Sequence, residues 1–151
     1  MEFTTEKFDD CINDLEPILK QHYEEIAWKK DKIKLNPNYD TYRNLEKMNM
    51  LRMYIVRDEG KVIGYAIFLV HPFLHYKDTI QAHNDILYIH PEYRGSSLGK
   101  KLLKDYAETE LKKEGVKVIS LHIKTAHNWQ KLAEHWGYEQ TEVTVQKWIG
   151  D

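Results

Sequence analysis

The sequence predicts an α/β domain built on a mixed sheet, and three features carry that reading. The first quarter has apolar residues at helical spacing, the middle has short β-branched and aromatic runs, and the last half alternates strand with helix. With 151 residues, 42% apolar and 30% charged, the chain is long enough for one core and too apolar for a disordered polymer. Residues 1–151 therefore read as a single domain.

Phe8, Cys11, Ile12, Leu15, Ile18, Leu19, His22, Tyr23 and Ile26 follow a helical period, with Thr4 or Thr5 as N-cap. Pro17 removes one backbone donor and is expected to kink or split this helix. Asn36-Pro37-Asn38 marks a turn, and Tyr39 to Met48 a second, shorter helix. Strand character begins at Leu51. Met53-Tyr54-Ile55-Val56 runs to the turn signal Asp58-Glu59-Gly60, and Val62 to Phe73 follows, so the two read as an antiparallel hairpin. A loop from Pro72 to Lys77 leads to another strand, Ala82 to His90, halted by Pro91. Leu98, Leu102, Leu103, Tyr106 and Leu111 mark an amphipathic helix ending near Gly115, and Lys117 to Ile123 is a strand. Trp129, Leu132, Ala133 and Trp136 recur at helical spacing up to Gly137, and a last strand or hairpin is expected through Ile149.

The net charge of −2 removes the electrostatic basis for general nucleic-acid binding. A lone cysteine, Cys11, excludes an internal disulfide and a cysteine zinc cluster, which favours a reducing compartment. The N-terminus has no apolar stretch of signal-peptide length, and the longest apolar run, Tyr65 to Val70, is too short for a bilayer. These features place the chain in the cytoplasm, away from membranes. His71 and His75 are four apart, but Pro72 breaks the helix a zinc pair would need, so no metal site is expected.

The most informative segment runs from Asp85 to Lys101. A strand ends at Pro91, small residues follow, and a helix starts at once. Such a junction aims unpaired backbone N–H groups at one spot, where the helix dipole also favours an anion. Arg94, Lys100 and Lys101 add positive charge. A Walker loop is excluded because three residues, not four, separate Gly95 from Gly99, and the dinucleotide fingerprint is excluded by Ser97 two residues after Gly95. An ordinary strand–helix turn with a serine N-cap remains the plain alternative.

Arg94-Gly95-Ser96-Ser97-Leu98-Gly99 resembles the acetyl-coenzyme A loop of the GCN5-related N-acetyltransferases (GNAT), Arg/Gln-x-x-Gly-x-Gly/Ala. It matches at Arg94 and Gly99, with Ser97 where the first glycine is usual. The preceding Ile89-His90-Pro91-Glu92-Tyr93, the order of elements, and Trp136-Gly137-Tyr138 in place of a Leu-Gly-Phe extend the resemblance over nearly the whole chain. More loosely, Asn36-Pro37 and His75-Tyr76-Lys77-Asp78 resemble a subgroup common in tailed phages and prophages. The resemblance implies a GNAT fold, one domain with a mixed, mostly antiparallel central sheet flanked by helices.

It also implies an activity: acetyl transfer from acetyl-coenzyme A to a primary amine of a small molecule or protein by direct attack. The pyrophosphate would lie on Arg94, Gly95, Ser96, Ser97, Leu98, Gly99 and Lys100, and the pantetheine arm along the main chain of Leu87, Tyr88 and Ile89, which would also supply the oxyanion donor. Asn128 is a further expected cofactor contact, at a spacing that departs from the family's usual one. Asp85 is the expected base: an acid in an apolar strand, on the face of Leu87 and Ile89 by alternation, with burial expected to raise its pKa. Its plain alternative is a structural or solvated carboxylate. His75 and His83 are the other candidate bases, and His22 and Tyr23 candidate pocket residues. The family's usual acid, a Tyr, is here Ala133. Ala133 and Ser97 keep one rival open, a catalytically degenerate coenzyme A-binding module, and the phage-like resemblance a second, a structural or partner-blocking protein of the same fold. The four Trp and the C-terminal strands offer a homodimer interface.

Overall fold

A computed structural model describes all residues, 1–151. Its order is β1 (Glu2–Glu6), α1 (Phe8–Ile26), α2 (Tyr39–Lys47), β2 (Leu51–Asp58), β3 (Lys61–Pro72) and β4 (Ile80–Ile89). A single helical turn, Pro91–Tyr93, then leads to α3, a continuous helix in three stretches: Leu98–Lys100, a π-helical Lys101–Ala107, and Glu108–Lys113. β5 (Val118–Ser120) and α4 (Gln130–His135) complete the fold.

The five strands lie in the order β1-β2-β3-β4-β5, antiparallel except for the β4–β5 pair. Each face of the sheet has its own core. On one, Phe8, Cys11, Ile12 and Leu15 of α1 cover Met53, Ile55, Tyr65 and Ile67. On the other, Leu98, Leu102, Leu103 and Leu111 of α3 cover Tyr54, Ala66 and Phe68. The β2–β3 hairpin turns where expected. Glu59 (φ 48) and Gly60 (φ 81) are both left-handed, as the tight turn between Asp58 and its partner Lys61 requires.

Several sequence expectations are corrected. Residues 2–6 form an edge strand on β2, so Thr4 and Thr5 are strand residues and α1 starts after Lys7 without a side-chain cap. Alternating Phe3 and Thr5 carry a strand signal too short to stand out beside the helical period that follows. Pro17 sits inside α1 without ending it. No strand follows α4: residues 136–151 are irregular, and Val143, Val145 and Ile149 are exposed. β5 is three residues long rather than seven, because its pairing with β4 stops at His83↔Ser120.

Candidate active site

β4 and β5 pair only at Gln81↔Val118, Ala82↔Ile119 and His83↔Ser120, then part. At the parting point Asn84 replaces the ladder with its side chain. Its Oδ1 accepts the His122 N–H at 2.5 Å, and its Nδ2 donates to His122 O at 3.4 Å. Asn84 is buried, so this bridge satisfies amide groups that would otherwise be costly there. Beyond it the outer edge of β4 faces a cleft of about 490 Å³ whose far wall includes His122, Lys124, Trp129 and Trp136. His90 N–H donates to Ile63 O on β3, so strand alternation turns the main-chain groups of Leu87 and Ile89 to the open edge. Tyr88 pairs with Tyr65 in the ladder instead, and its ring packs against the core under α1.

The cleft continues into the loop before α3. The backbone N–H groups of Gly95, Ser96, Ser97, Gly99 and Lys100 find no acceptor within the protein, whereas that of Leu98 donates to Ser96 Oγ at 3.2 Å. Gly95 is the left-handed residue (φ 77), and Ser97 has φ −75. Serine at the family's glycine position is therefore unstrained, and the glycine the turn needs lies two residues earlier. The Leu98 side chain is in the core, so only its backbone belongs to the loop. A cluster of free donors at the head of a helix fits a pyrophosphate, and an open strand edge beside it fits an amide-bearing arm. The residues present thus suit coenzyme A.

Asp85 sits at a β-bulge. The β3–β4 register passes from Ile67↔Ile86 to Phe68↔Asn84, leaving Asp85 as the extra residue. The bulge reverses the side-chain phase. Ala82 and Ile80 face the α3 core, as do Leu87 and Ile89, while Ile86 and Tyr88 face the α1 core. Asp85 accepts a hydrogen bond from the Tyr42 hydroxyl of α2. It is therefore on the α1/α2 face, opposite Leu87 and Ile89, and exposed rather than buried. Simple alternation missed this because a bulge breaks the two-residue period. Burial and the neighbouring Asp85 charge push the Tyr42 phenol above its ordinary range.

His83 shares that face. Its ring is 5.3 Å from His71 and 5.5 Å from His122. Burial, then the two neighbouring imidazoles, lower its pKa. His75 lies elsewhere, in the exposed loop between β3 and β4 at the opposite end of β4. Asn128 lies just before α4, its side chain accepting the Gln130 N–H at 2.9 Å, and is not among the cleft residues. Ala133 is buried at 3% exposure, and Tyr138 donates to Glu108 at 2.7 Å, so neither offers an acid to the cleft.

Two groups on α1 complete the site. His22 is buried at the cleft wall, its Nδ1 2.8 Å from the Tyr65 hydroxyl and its ring 5.0 Å from Tyr88. Burial pulls its imidazole down to about 4. Glu25 binds Arg94, whose Nε also donates to Ile89 O. Tyr42, Glu25 and Asn84 were not singled out from the sequence. Only Asn84, a polar residue inside an apolar strand, carried a visible signal; Tyr42 and Glu25 meet β4 through tertiary packing alone.

The acetyltransferase (GNAT) domain family model matches residues 49–140. No curated protein matches the sequence. Among solved structures, a ribosomal-protein-alanine N-acetyltransferase from Brucella melitensis biovar Abortus 2308 superposes with TM-score 0.72 at 16% identity, covering 99% of both chains. A predicted acetyltransferase with acetyl-CoA from Clostridium acetobutylicum gives TM-score 0.72 at 16% identity, covering 98% of this chain and 96% of that one. An aminoglycoside acetyltransferase from an uncultured soil metagenomic sample, in complex with sisomicin, gives 0.75 at 14% identity, covering 99% and 95%. At these identities the likeness is one of fold.

Proposed function

The chain belongs to the acetyltransferase (GNAT) domain family, and from that premise we propose that it is an acetyl-coenzyme A-dependent N-acetyltransferase acting on a primary amine. The observation that carries this reading is the parting of β4 from β5 at Asn84 and His122, which opens a strand edge leading directly into a loop of free N–H donors. The donor supplies an activated thioester. The protein supplies the rest. Gly95, Ser96, Ser97, Gly99 and Lys100 hold the pyrophosphate by main-chain N–H groups, and Leu87 and Ile89 offer the main chain of the open edge. The outward N–H groups of Leu87 and Ile89 are the donors open to a developing oxyanion, while Ile89 O accepts from Arg94.

A protonated amine is no nucleophile, so a proton must first leave it. Asp85 is the group placed to take it: an exposed carboxylate at the mouth of the parting, oriented by the Tyr42 hydroxyl and free of any cationic partner. Ala133, at the family's tyrosine position, is buried and supplies no acid, so the leaving thiolate takes its proton from solvent or from another group on the cleft. Residues 1–151 act as one N-acetyltransferase domain. No helix is long and apolar enough to cross a membrane; with a single, buried cysteine, we place the protein in the cytoplasm. The phage- or prophage-type reading rests on Asn36-Pro37 and His75 to Asp78 alone.

Ala133 also favours a second reading, a coenzyme A-binding module without turnover. Thiol release from acetyl-coenzyme A over an amine panel, with acetylated product weighed by mass spectrometry, decides between them. Amine-dependent product upholds the enzyme. Coenzyme A binding by calorimetry without product upholds the module, and absence of both removes each.

A further inference from the structure

Of the two carboxylates lining the cleft, Glu25 is bound by Arg94, while Asp85 takes part in no ion pair and meets only the Tyr42 hydroxyl. Within the cleft lining, Asp85 is thus the one carboxylate without an ion-pair partner. Its surroundings are flat rings. Tyr42 lies on the α2 side, and His71, His83 and His122 form a row with centroids 5.3 and 5.5 Å apart that runs to the cleft beside Asp85. His83 senses the Asp85 charge directly.

A single carboxylate matches a single ammonium. A polycationic aminoglycoside, by contrast, would bring several charges to a site with one counter-charge and pay for each desolvation. Imidazole and phenol rings reward a planar, polarisable neighbour by offset or edge contact. Resting on the amine-acetylation reading above, we propose that the acceptor is a monoamine carried on a planar aromatic group, an arylalkylamine, with its ammonium on Asp85 and its ring along Tyr42, His83 and His122.

The test compares 2-phenylethylamine, n-butylamine and sisomicin as acceptors with saturating acetyl-coenzyme A. The expected result is a kcat/KM for 2-phenylethylamine about tenfold above n-butylamine, the scale of one aromatic contact, with sisomicin at or below n-butylamine. His83→Ala should shrink that ratio toward one through KM; if that variant does not fold, the wild-type ratio alone decides. Equal use of the two monoamines, or preference for sisomicin, overturns the inference while leaving acetyl transfer standing. No turnover with any amine, coenzyme A binding intact, overturns both.

Discussion

Arg94 and Glu25 form an ion pair across the cleft wall, one guanidinium nitrogen lying 2.7 and 3.0 Å from the two carboxylate oxygens. The same guanidinium donates through Nε to Ile89 O at 2.8 Å and packs over the Tyr88 ring. One side chain therefore ties the end of α1, the end of β4 and the start of the loop before α3 together. That arrangement makes Arg94 first a residue that fixes the loop, with Nη1 the nitrogen that makes no bond within the protein.

Arg94→Ala is expected to weaken coenzyme A binding by about 1–3 kcal/mol, the scale for losing charge-assisted hydrogen bonds. If positioning dominates, Glu25→Ala loses a comparable amount although it removes no positive charge. Calorimetry on both variants checks this. An affinity unchanged or raised in Glu25→Ala would assign Arg94 to direct charge recognition instead.

The loop itself is tested most cleanly at Gly99. A Cβ there would meet nothing nearer than Trp136 at 3.8 Å, so a larger residue is compatible with the fold. Gly99→Glu nevertheless places bulk and negative charge among the free N–H donors. The variant should keep its melting temperature without ligand and lose the stabilisation that coenzyme A confers on the parent. A retained thermal shift would place the pyrophosphate elsewhere.

His22 gives a pH signature. Burial holds its folded-state pKa at about 4, below the unfolded value of about 6.5. Between those values the unfolded chain binds a proton that the folded chain refuses, so acidification favours unfolding. The His22 contribution is complete above pH ~6.5 and is lost progressively as pH falls toward ~4, by about 1–3 kcal/mol. Urea unfolding of the parent at pH 7 and pH 5 should show this loss, and His22→Gln should flatten it. An equal loss in the variant would assign the acid sensitivity to other groups.

The elements that hold the cleft were legible where pattern is local. The Asp58-Glu59-Gly60 turn, the α3 stripe of Leu98, Leu102, Leu103 and Leu111, and the segment from Arg94 to Gly99 all announce themselves within a few residues. What was not legible depends on chain segments far apart. The phase reversal at Asp85 arises from its register against Ile67 and Phe68, which no local alternation reveals. The Asn84–His122 bridge joins residues 38 apart, and Tyr42–Asp85 residues 43 apart. Pro17 does not split α1, because packing of Phe8, Cys11, Ile12 and Leu15 outweighs one missing helical hydrogen bond.

Asp85 carries the mechanistic prediction. Only the free amine attacks, and most amines are protonated at neutral pH, so a base at the mouth of the β4–β5 parting matters most below the amine's own pKa. Asp85→Asn keeps the shape of the bulge and an acceptor oxygen for the Tyr42 hydroxyl, and removes the basicity. Turnover should fall by roughly 10²–10⁴-fold, the range for loss of a general base. Coenzyme A affinity should hold, because Asp85 faces α2 while the cofactor edge proposed above consists of Leu87, Ile89 and the loop. Raising the pH should recover part of the loss by supplying free amine from solution. Tyr42→Phe leaves the carboxylate but frees it to rotate, so it should lower kcat less than Asp85→Asn. Full activity of Asp85→Asn at neutral pH would move the base to another group. A collapse of coenzyme A affinity or of melting temperature would show instead that the carboxylate holds the bulge together.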